Sequence, residues 1–291
     1  MPDSLQRSEK KLAAVERATA EHRLLVTRLL NEGSPHLSKL IADCGKDMKL
    51  TCTNCGHLKV VEETCRKRWC PRCASTIAAQ RNAKYALVAQ AFQWPLFVTL
   101  TMRNSPDPDS LVACKRAWTR LRRRKLIRER VKGGIVGWEV TNQGRGWHPH
   151  LHAILDCEWL ALHVPPIRSS DSAETKKEKA QAAACELECL WASILGQSSA
   201  SVRVRRANAG ALREVLKYSV KGSQLLASPG RITELIETMQ GMRLLTTFGS
   251  AFNNDLADDP DEDPAARAVC DVCQASGSFM PDFLVGILMR S

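Results

Sequence analysis

The spacing of apolar residues changes period several times along the central part of the chain. Pro95 to Met102 (PLFVTLTM) is dense in β-branched and aromatic residues and predicts a strand. Residues 109–130 place Leu111, Trp118, Leu121 and Leu126 at helical intervals, which predicts a helix with these four as core contacts. A second strand follows at Gly133 to Thr141 (GGIVGWEVT), then a glycine-rich turn region at Asn142 to Trp147, then a third strand at His148 to Asp156 (HPHLHAILD). A Pro-Pro loop leads to a helix over roughly 173–195. Ser201 to Arg206 alternates Val and Arg as a fourth strand does, and Asn208 is placed to cap a helix running to about Leu226.

The resulting order, β-α-β-β-α-β and one more helix, predicts an α+β fold: a ferredoxin-like, split βαβ antiparallel sheet with helices on one face. Upstream, residues 1–43 read as a polar helical N-terminal segment, with apolar spacing at Leu24, Leu25, Leu29 and Leu30 and a break at Gly33-Ser34-Pro35. Residues 44–92 form a Cys-rich, zinc-binding segment and a helix from Ala74 to Gln90. The boundaries that follow are 93–228 for a catalytic domain and 229–291 for a C-terminal helix from Ile232, an acidic linker (Asp255, Asp258, Asp259, Asp261, Glu262, Asp263) and a tail.

Charge adds a partner to this picture. The formal net charge is +11, which points to a polyanion. No apolar run approaches a membrane span, so no membrane association is expected. The N-terminus MPDSLQRSEKK has charges where a signal peptide needs an apolar core, so a cytoplasmic, reducing location is expected. There, twelve cysteines suggest metal ligands rather than disulfides. The basic character concentrates between Lys115 and Lys132, where Glu129 is the only acidic residue; Arg122, Arg123, Arg124 and Lys125 are the densest run. These cations, extended by Arg203, Arg205 and Arg206, suit phosphate contacts that position DNA without reading its sequence.

Candidate chemistry sits on the strands. His150 and His152 are two residues apart on a strand and point to one face. If the second and third strands form a hairpin with a six-residue loop, Thr141 lies opposite His148 and Glu139 lies opposite His150. Glu139, His150 and His152 would then make a three-ligand set with open positions, able to hold zinc, Mn²⁺ or Mg²⁺. His148 competes as a third ligand, and a one-residue bulge would destroy the register. The chain has two tyrosines. Tyr85 lies in ordinary helical surroundings; Tyr218 lies in Lys217-Tyr218-Ser219-Val220-Lys221, where a helix makes Lys221 its neighbour. Taken alone, Tyr218 reads more readily as a packing residue than as a nucleophile.

Cys52-x2-Cys55 and Cys70-x2-Cys73 are two knuckles fourteen residues apart, a spacing that suits one tetrahedral structural Zn²⁺. Cys44, Cys65 and His57 are surplus, so that a second ion or a swapped ligand (Cys65 above all) is open. Cys270-x2-Cys273 is a lone knuckle, either half of a site completed by another chain or no site; the second is favoured.

Three stretches in order, Phe97-Val98-Thr99-Leu100-Thr101, His148-Pro149-His150-Leu151-His152 and Tyr218-Ser219-Val220-Lys221, resemble the three motifs of HUH endonucleases, nearest to replication initiators of small rolling-circle plasmids. The likeness covers roughly residues 40–250. It implies Mg²⁺ or Mn²⁺ held by His150, His152 and Glu139, and attack by Tyr218 on an origin phosphodiester in single-stranded or cruciform DNA. A 5′-phosphotyrosine and a priming 3′-hydroxyl result. It also implies that Lys221 positions the metal site or steadies the attacking oxygen, and that host helicase and polymerase are recruited. The second catalytic tyrosine of some relatives is missing, which leaves Glu214, one turn before Tyr218, as the residue to activate a terminating water. A similar Cys-rich segment precedes the catalytic domain in some initiators and HUH-type transposases. A transposase or mobilisation relaxase, a non-enzymatic zinc DNA-binding regulator and a zinc hydrolase are the alternatives.

Overall fold

The computed structural model describes residues 2–107, 109–142, 144–208, 210–218, 226, 230–252, 269–275 and 279–281, without the side chains of 2–11, 217, 218 and 279–281. The chain forms two compact units, one from Met1–Ile77 with Ala257–Ser291 and the other from Ala78–Leu256. Its elements are α1 (Pro2–Asn31), α2 (Pro35–Asp43), β1 (Asp47–Cys52), β2 (Leu58–Glu62), α3 (Pro71–Gln90), β3 (Pro95–Thr101), α4 (Ser110–Arg122), α5 (Lys125–Arg130), β4 (Gly133–Asn142), β5 (Trp147–Asp156), α6 (Ala173–Leu195), β6 (Val202–Arg206), α7 (Ala211–Tyr218), α8 (Ile232–Met239), β7 (Leu245–Gly249) and β8 (Phe279–Pro281).

In the first unit α1 and α2 pack as a helical hairpin around Gly33, whose φ of +77° lies in the left-handed region that favours glycine. Leu25 and Leu29 are buried while Leu24 and Leu30 face solvent, so half of the expected apolar stripe is core. A proline in the first turn starts α2, where its missing N–H costs nothing. The Ser38 hydroxyl donates to the Val26 carbonyl at 2.9 Å and ties the two helices together. A separate three-stranded antiparallel sheet has the order β2-β1-β8.

The second unit is built on a five-stranded sheet of order β6-β3-β5-β4-β7, antiparallel at every pairing. Its four inner and left-hand strands are those the apolar pattern predicts. The fifth, β7, lies in what reads from sequence as tail, beyond the helix expected from Ile232, which is α8. Alternation gives the sheet two distinct faces. One carries Leu96, Val98, Leu100, Val136, Trp138, Leu151 and Ala153 and is covered by α4, with α6 beside it. Trp118 of α4 meets Phe248 edge-on at 5.8 Å, and Leu111, Leu121 and Leu126 are buried as their spacing predicts.

The opposite face carries Phe97, Ile135 and Ile154, and these pack with Ala211 and Val215 of α7, with Val88 of α3 and with Phe92 beyond its end. Helices thus cover both faces, whereas the sequence pattern predicts one. The physical reason is legible in β4 itself. A strand with one wet face alternates, but GGIVGW is apolar without alternation, as doubly covered strands are, and Gly133 to Val140 are all buried. The acidic residues 255–263 lie outside the described residues.

Candidate active site and thiol groups

The β4–β5 hairpin places Thr141 opposite His148, Glu139 opposite His150 and Gly137 opposite His152. Odd-numbered residues of β4 therefore share a face with the even-numbered histidines of β5. The Glu139 carboxylate ends between the two rings, its Oε2 at 2.5 Å from His150 Nε2 and 3.4 Å from His152 Nε2. Glu139 and His152 are buried and His150 is 13% exposed, so the set opens to solvent on one side. Each of the three offers one ligand atom within 4.8 Å of the others.

The surroundings orient these atoms as a metal would require. His150 Nδ1–H donates to the His148 carbonyl at 3.2 Å, which leaves Nε2 of the neutral ring as a lone pair aimed at a carboxylate oxygen. Two acceptors facing each other need a cation between them, either a proton or a metal ion. His152 Nδ1 shares a hydrogen bond with Thr99 Oγ1 at 3.0 Å, across the β3–β5 pairing, and Phe97 stacks on the same ring with centroids 5.7 Å apart. A partner on the far nitrogen is how proteins fix the tautomer and direction of a ligating histidine. The donor set therefore fits a divalent cation. One carboxylate and two imidazoles do not by themselves choose among zinc, Mn²⁺ and Mg²⁺. His148 is not one of the converging ligands; its Nδ1–H donates to Asn104 Oδ1 at 2.6 Å.

Gly137 brings α7 to this face. A Cβ built there would lie 2.5 Å from the Val215 carbonyl oxygen, so only glycine permits the helix to approach so closely. Ala211 and Val215 are fully buried, and Tyr218 is the last residue of α7, three positions after Val215. The tyrosine's side chain and Lys221 lie outside what the structure describes. Glu214 is ion-paired with Arg205 at 2.8 Å.

The basic residues divide between the two faces. Arg203 and Arg205 lie opposite Thr99 and Phe97 on the face of the histidines, and Arg205 lies over the Phe97 ring at 4.2 Å. Arg206 points the other way, over Trp94 at 5.5 Å. Arg122, Arg123, Arg124 and Lys125 mark the junction of α4 and α5 on the face away from Glu139; Arg122 lies over Phe248 at 5.0 Å, and the other three are exposed. A single continuous track including all seven, as the sequence suggests, is therefore not what the sheet presents.

In the other unit the cysteines sort differently from their order in sequence. Cys70 and Cys73 converge with Cys44 and Cys65, while Cys52 and Cys55 converge with Cys270 and Cys273. In the first group the Sγ···Sγ distances are 3.4 Å (Cys44–Cys73), 3.7 Å (Cys65–Cys73) and 3.8 Å (Cys44–Cys70). Zn–S bonds of about 2.3 Å in a tetrahedron put sulfurs about 3.8 Å apart, so the spacing fits zinc. The contact with Cys65, with Cys70 and Cys73 adding to it, lowers the Cys44 thiol from its ordinary range, and the same contact raises Cys65. Four thiols converging this closely are a donor set that a dication would hold as thiolates. The expected pairing of the two knuckles around one ion is thus replaced. Cys44 and Cys65, surplus by spacing, complete the Cys70–Cys73 group, and the lone C-terminal knuckle completes the other.

Sequence spacing identifies Glu139, His150 and His152, but not Thr99 or Phe97, which support His152. Both lie in the first of the three resembling motifs, which marks the stretch but gives neither residue a role. Among the described residues no helix is long and apolar enough to cross a membrane. Neither a curated protein nor a solved structure matches the chain. Residues 58–158 match the family model described as replication protein, a span that includes β3, Glu139, His150 and His152 and ends before Tyr218. That match supports the resemblance carried by the motifs, to the replication initiators of rolling-circle plasmids, and with it a DNA partner.

Proposed function

We propose that the chain initiates rolling-circle replication as a metal-dependent DNA nickase and strand-transferase whose nucleophile is Tyr218. The observation that carries this reading is the shared face. α7 runs over Ile135 and Gly137 on the face that, two residues further along β4, carries Glu139. Tyr218 is the last residue of that helix, three positions after Val215, which packs on this face. A phenol needs activation to attack at neutral pH, so a charged centre on the same face is what the chemistry asks for.

Glu139, His150 and His152 would hold Mg²⁺ or Mn²⁺. A bound cation there supplies positive charge to an oxygen of the scissile phosphate. The Tyr218 oxygen forms a bond to phosphorus as the P–O3′ bond breaks. The phenolic proton is lost to solvent, and the leaving 3′-oxygen takes one up, so that one phosphodiester is exchanged for a 5′-phosphotyrosine with no net hydrolysis. The 3′-hydroxyl primes synthesis. Lys221 would steady the attacking oxygen, and Glu214 would activate water to end the cycle. Arg203 and Arg205, on the reacting face, would hold the strand entering the site. Arg122, Arg123, Arg124, Lys125 and Arg206 would contact DNA elsewhere. Host helicase and polymerase are the partners such an initiator would recruit.

The test is incubation of the protein and Tyr218→Phe with 5′- and 3′-labelled single-stranded origin DNA and Mn²⁺, followed by denaturing gels. A covalent protein–DNA band that the variant lacks is the expected result. Cleavage without that band would move the reading to a metallohydrolase. Binding without cleavage would move it to a zinc DNA-binding regulator.

A further inference from the structure

Cys52-x2-Cys55 and Cys270-x2-Cys273 are the same structure built twice. In the first, the Cys52 amide donates to the His57 carbonyl at 2.8 Å, and the Gly56 amide donates to the Cys52 carbonyl at 2.8 Å. In the second, the Cys270 amide donates to the Ala275 carbonyl at 2.9 Å, and the Gln274 amide donates to the Cys270 carbonyl at 2.8 Å. The residue after each second cysteine is left-handed: Gly56 has φ of +72°, and Gln274 has φ of +56°. Glycine adopts that conformation freely. Glutamine has a Cβ that opposes it, so something must hold the second turn closed. The two turns face each other, with Cys52 and Cys273 sulfurs 3.7 Å apart and Cys55 and Cys270 sulfurs 3.6 Å apart, near the tetrahedral edge of about 3.8 Å expected for Zn–S bonds.

Among the described residues the apolar packing around them is small. Leu50, Cys52 and Cys270 are its buried members, with Met48, Val61 and Cys273 packed at the margin. The salt bridge from Lys59 to Asp271 is at the surface, where such pairs contribute little. Small sheets are commonly fastened by a staple. The strand β8, three residues long, pairs with β1 directly beyond the cysteine turn.

We propose that Cys52, Cys55, Cys270 and Cys273 bind a second zinc ion, forming a zinc ribbon of two like knuckles. This ion, distinct from one held by Cys44, Cys65, Cys70 and Cys73, fastens the turn at 269–275 onto the β1–β2 hairpin. It closes a loop between cysteines 215 positions apart. The site is independent of the nicking chemistry and stands or falls without it.

Zinc is counted by plasma mass spectrometry on the full chain carrying His150→Ala and His152→Ala, so that the sheet's ligand set does not contribute. Two ions per chain are expected, falling to one when Cys270→Ser and Cys273→Ser are added. A count of one before that addition, or of two after it, would overturn the proposal. Because the serine variant can misfold, the unmodified chain provides a second reading. Under native alkylation, Cys55 and Cys273 should react at least tenfold more slowly than Cys185 and Cys189, the exposed pair on α6, and should reach their rate once a strong chelator is added. Equal rates before chelation would also overturn it.

Discussion

The histidine site and the thiol groups are both sets of converging metal-type ligands, but they are assembled by opposite means. Glu139, His150 and His152 come from two adjacent strands joined by a tight turn, and the register of one hairpin fixes which atoms meet. The thiol groups draw Cys44 to Cys73 across 29 residues and Cys55 to Cys270 across 215. A local site inherits its geometry from turn length and strand alternation. A distant one depends on which elements pack, and spacing within each C-x2-C says nothing about which partner knuckle it meets. The hairpin site is also open on one side, as a site for substrate must be, whereas the thiol sets close around four sulfurs, as structural ions require.

The sharpest break of this comparison is at the tyrosine. Tyr218→Phe should abolish covalent capture of DNA, at least ~10³-fold below the parent, with zinc content and unfolding temperature unchanged, since one hydroxyl is removed. Replacing His152 by Ala should lower Mn²⁺-dependent cleavage by roughly 10²- to 10³-fold. Retention of cleavage by that variant, measured over a range of Mn²⁺, would mean the local ligand set is not the catalytic one.

Metal removal separates the two kinds of site in one experiment. Brief EDTA treatment should stop cleavage, and added Mn²⁺ should restore it while the thiolate-bound zinc stays in place. If restoration instead required zinc, the division into open catalytic and closed structural sites would be wrong. Gly137→Val should cost roughly 1–3 kcal/mol by overpacking against the Val215 carbonyl, read as a lowered unfolding midpoint. It should also lower cleavage by displacing α7 while leaving Mn²⁺ binding measurable. Thr99→Val should weaken Mn²⁺ binding about 10-fold by removing the partner of His152 Nδ1, at little cost in stability. The smallest effect concerns DNA. Arg203→Ala should reduce the salt dependence of single-strand binding by about one phosphate contact.

Much of the fold was written in the chain. The strands at 95–101, 133–142, 147–156 and 202–206 and the helices at 110–122 and 173–195 follow from apolar period and turn residues, because each is decided by neighbours in sequence. The coincidence of Glu139 with His150 follows from the same local rules. β7 did not announce itself, since LTTFG is short and its pairing with Gly133 to Gly137 is a long-range contact. Nor was the helix cover on both faces expected, although the unbroken apolar run in β4 carried the signal for it.

What the sequence determined by itself is the local frame of the candidate ligands: an acid and two imidazoles on one strand face, and thiols in two-residue knuckles, with Cys44 and Cys65 left unplaced. What only the tertiary structure decided is which knuckle meets which, which arginines share the face of the histidines, and that Gly137 admits α7 to it. Hydrogen-bonded turns and strand alternation act within a few residues, so they can be read in order along the chain. The pairing of Cys52 with Cys273 and the approach of Val215 to Gly137 depend on packing between elements far apart in sequence, and no local period encodes it.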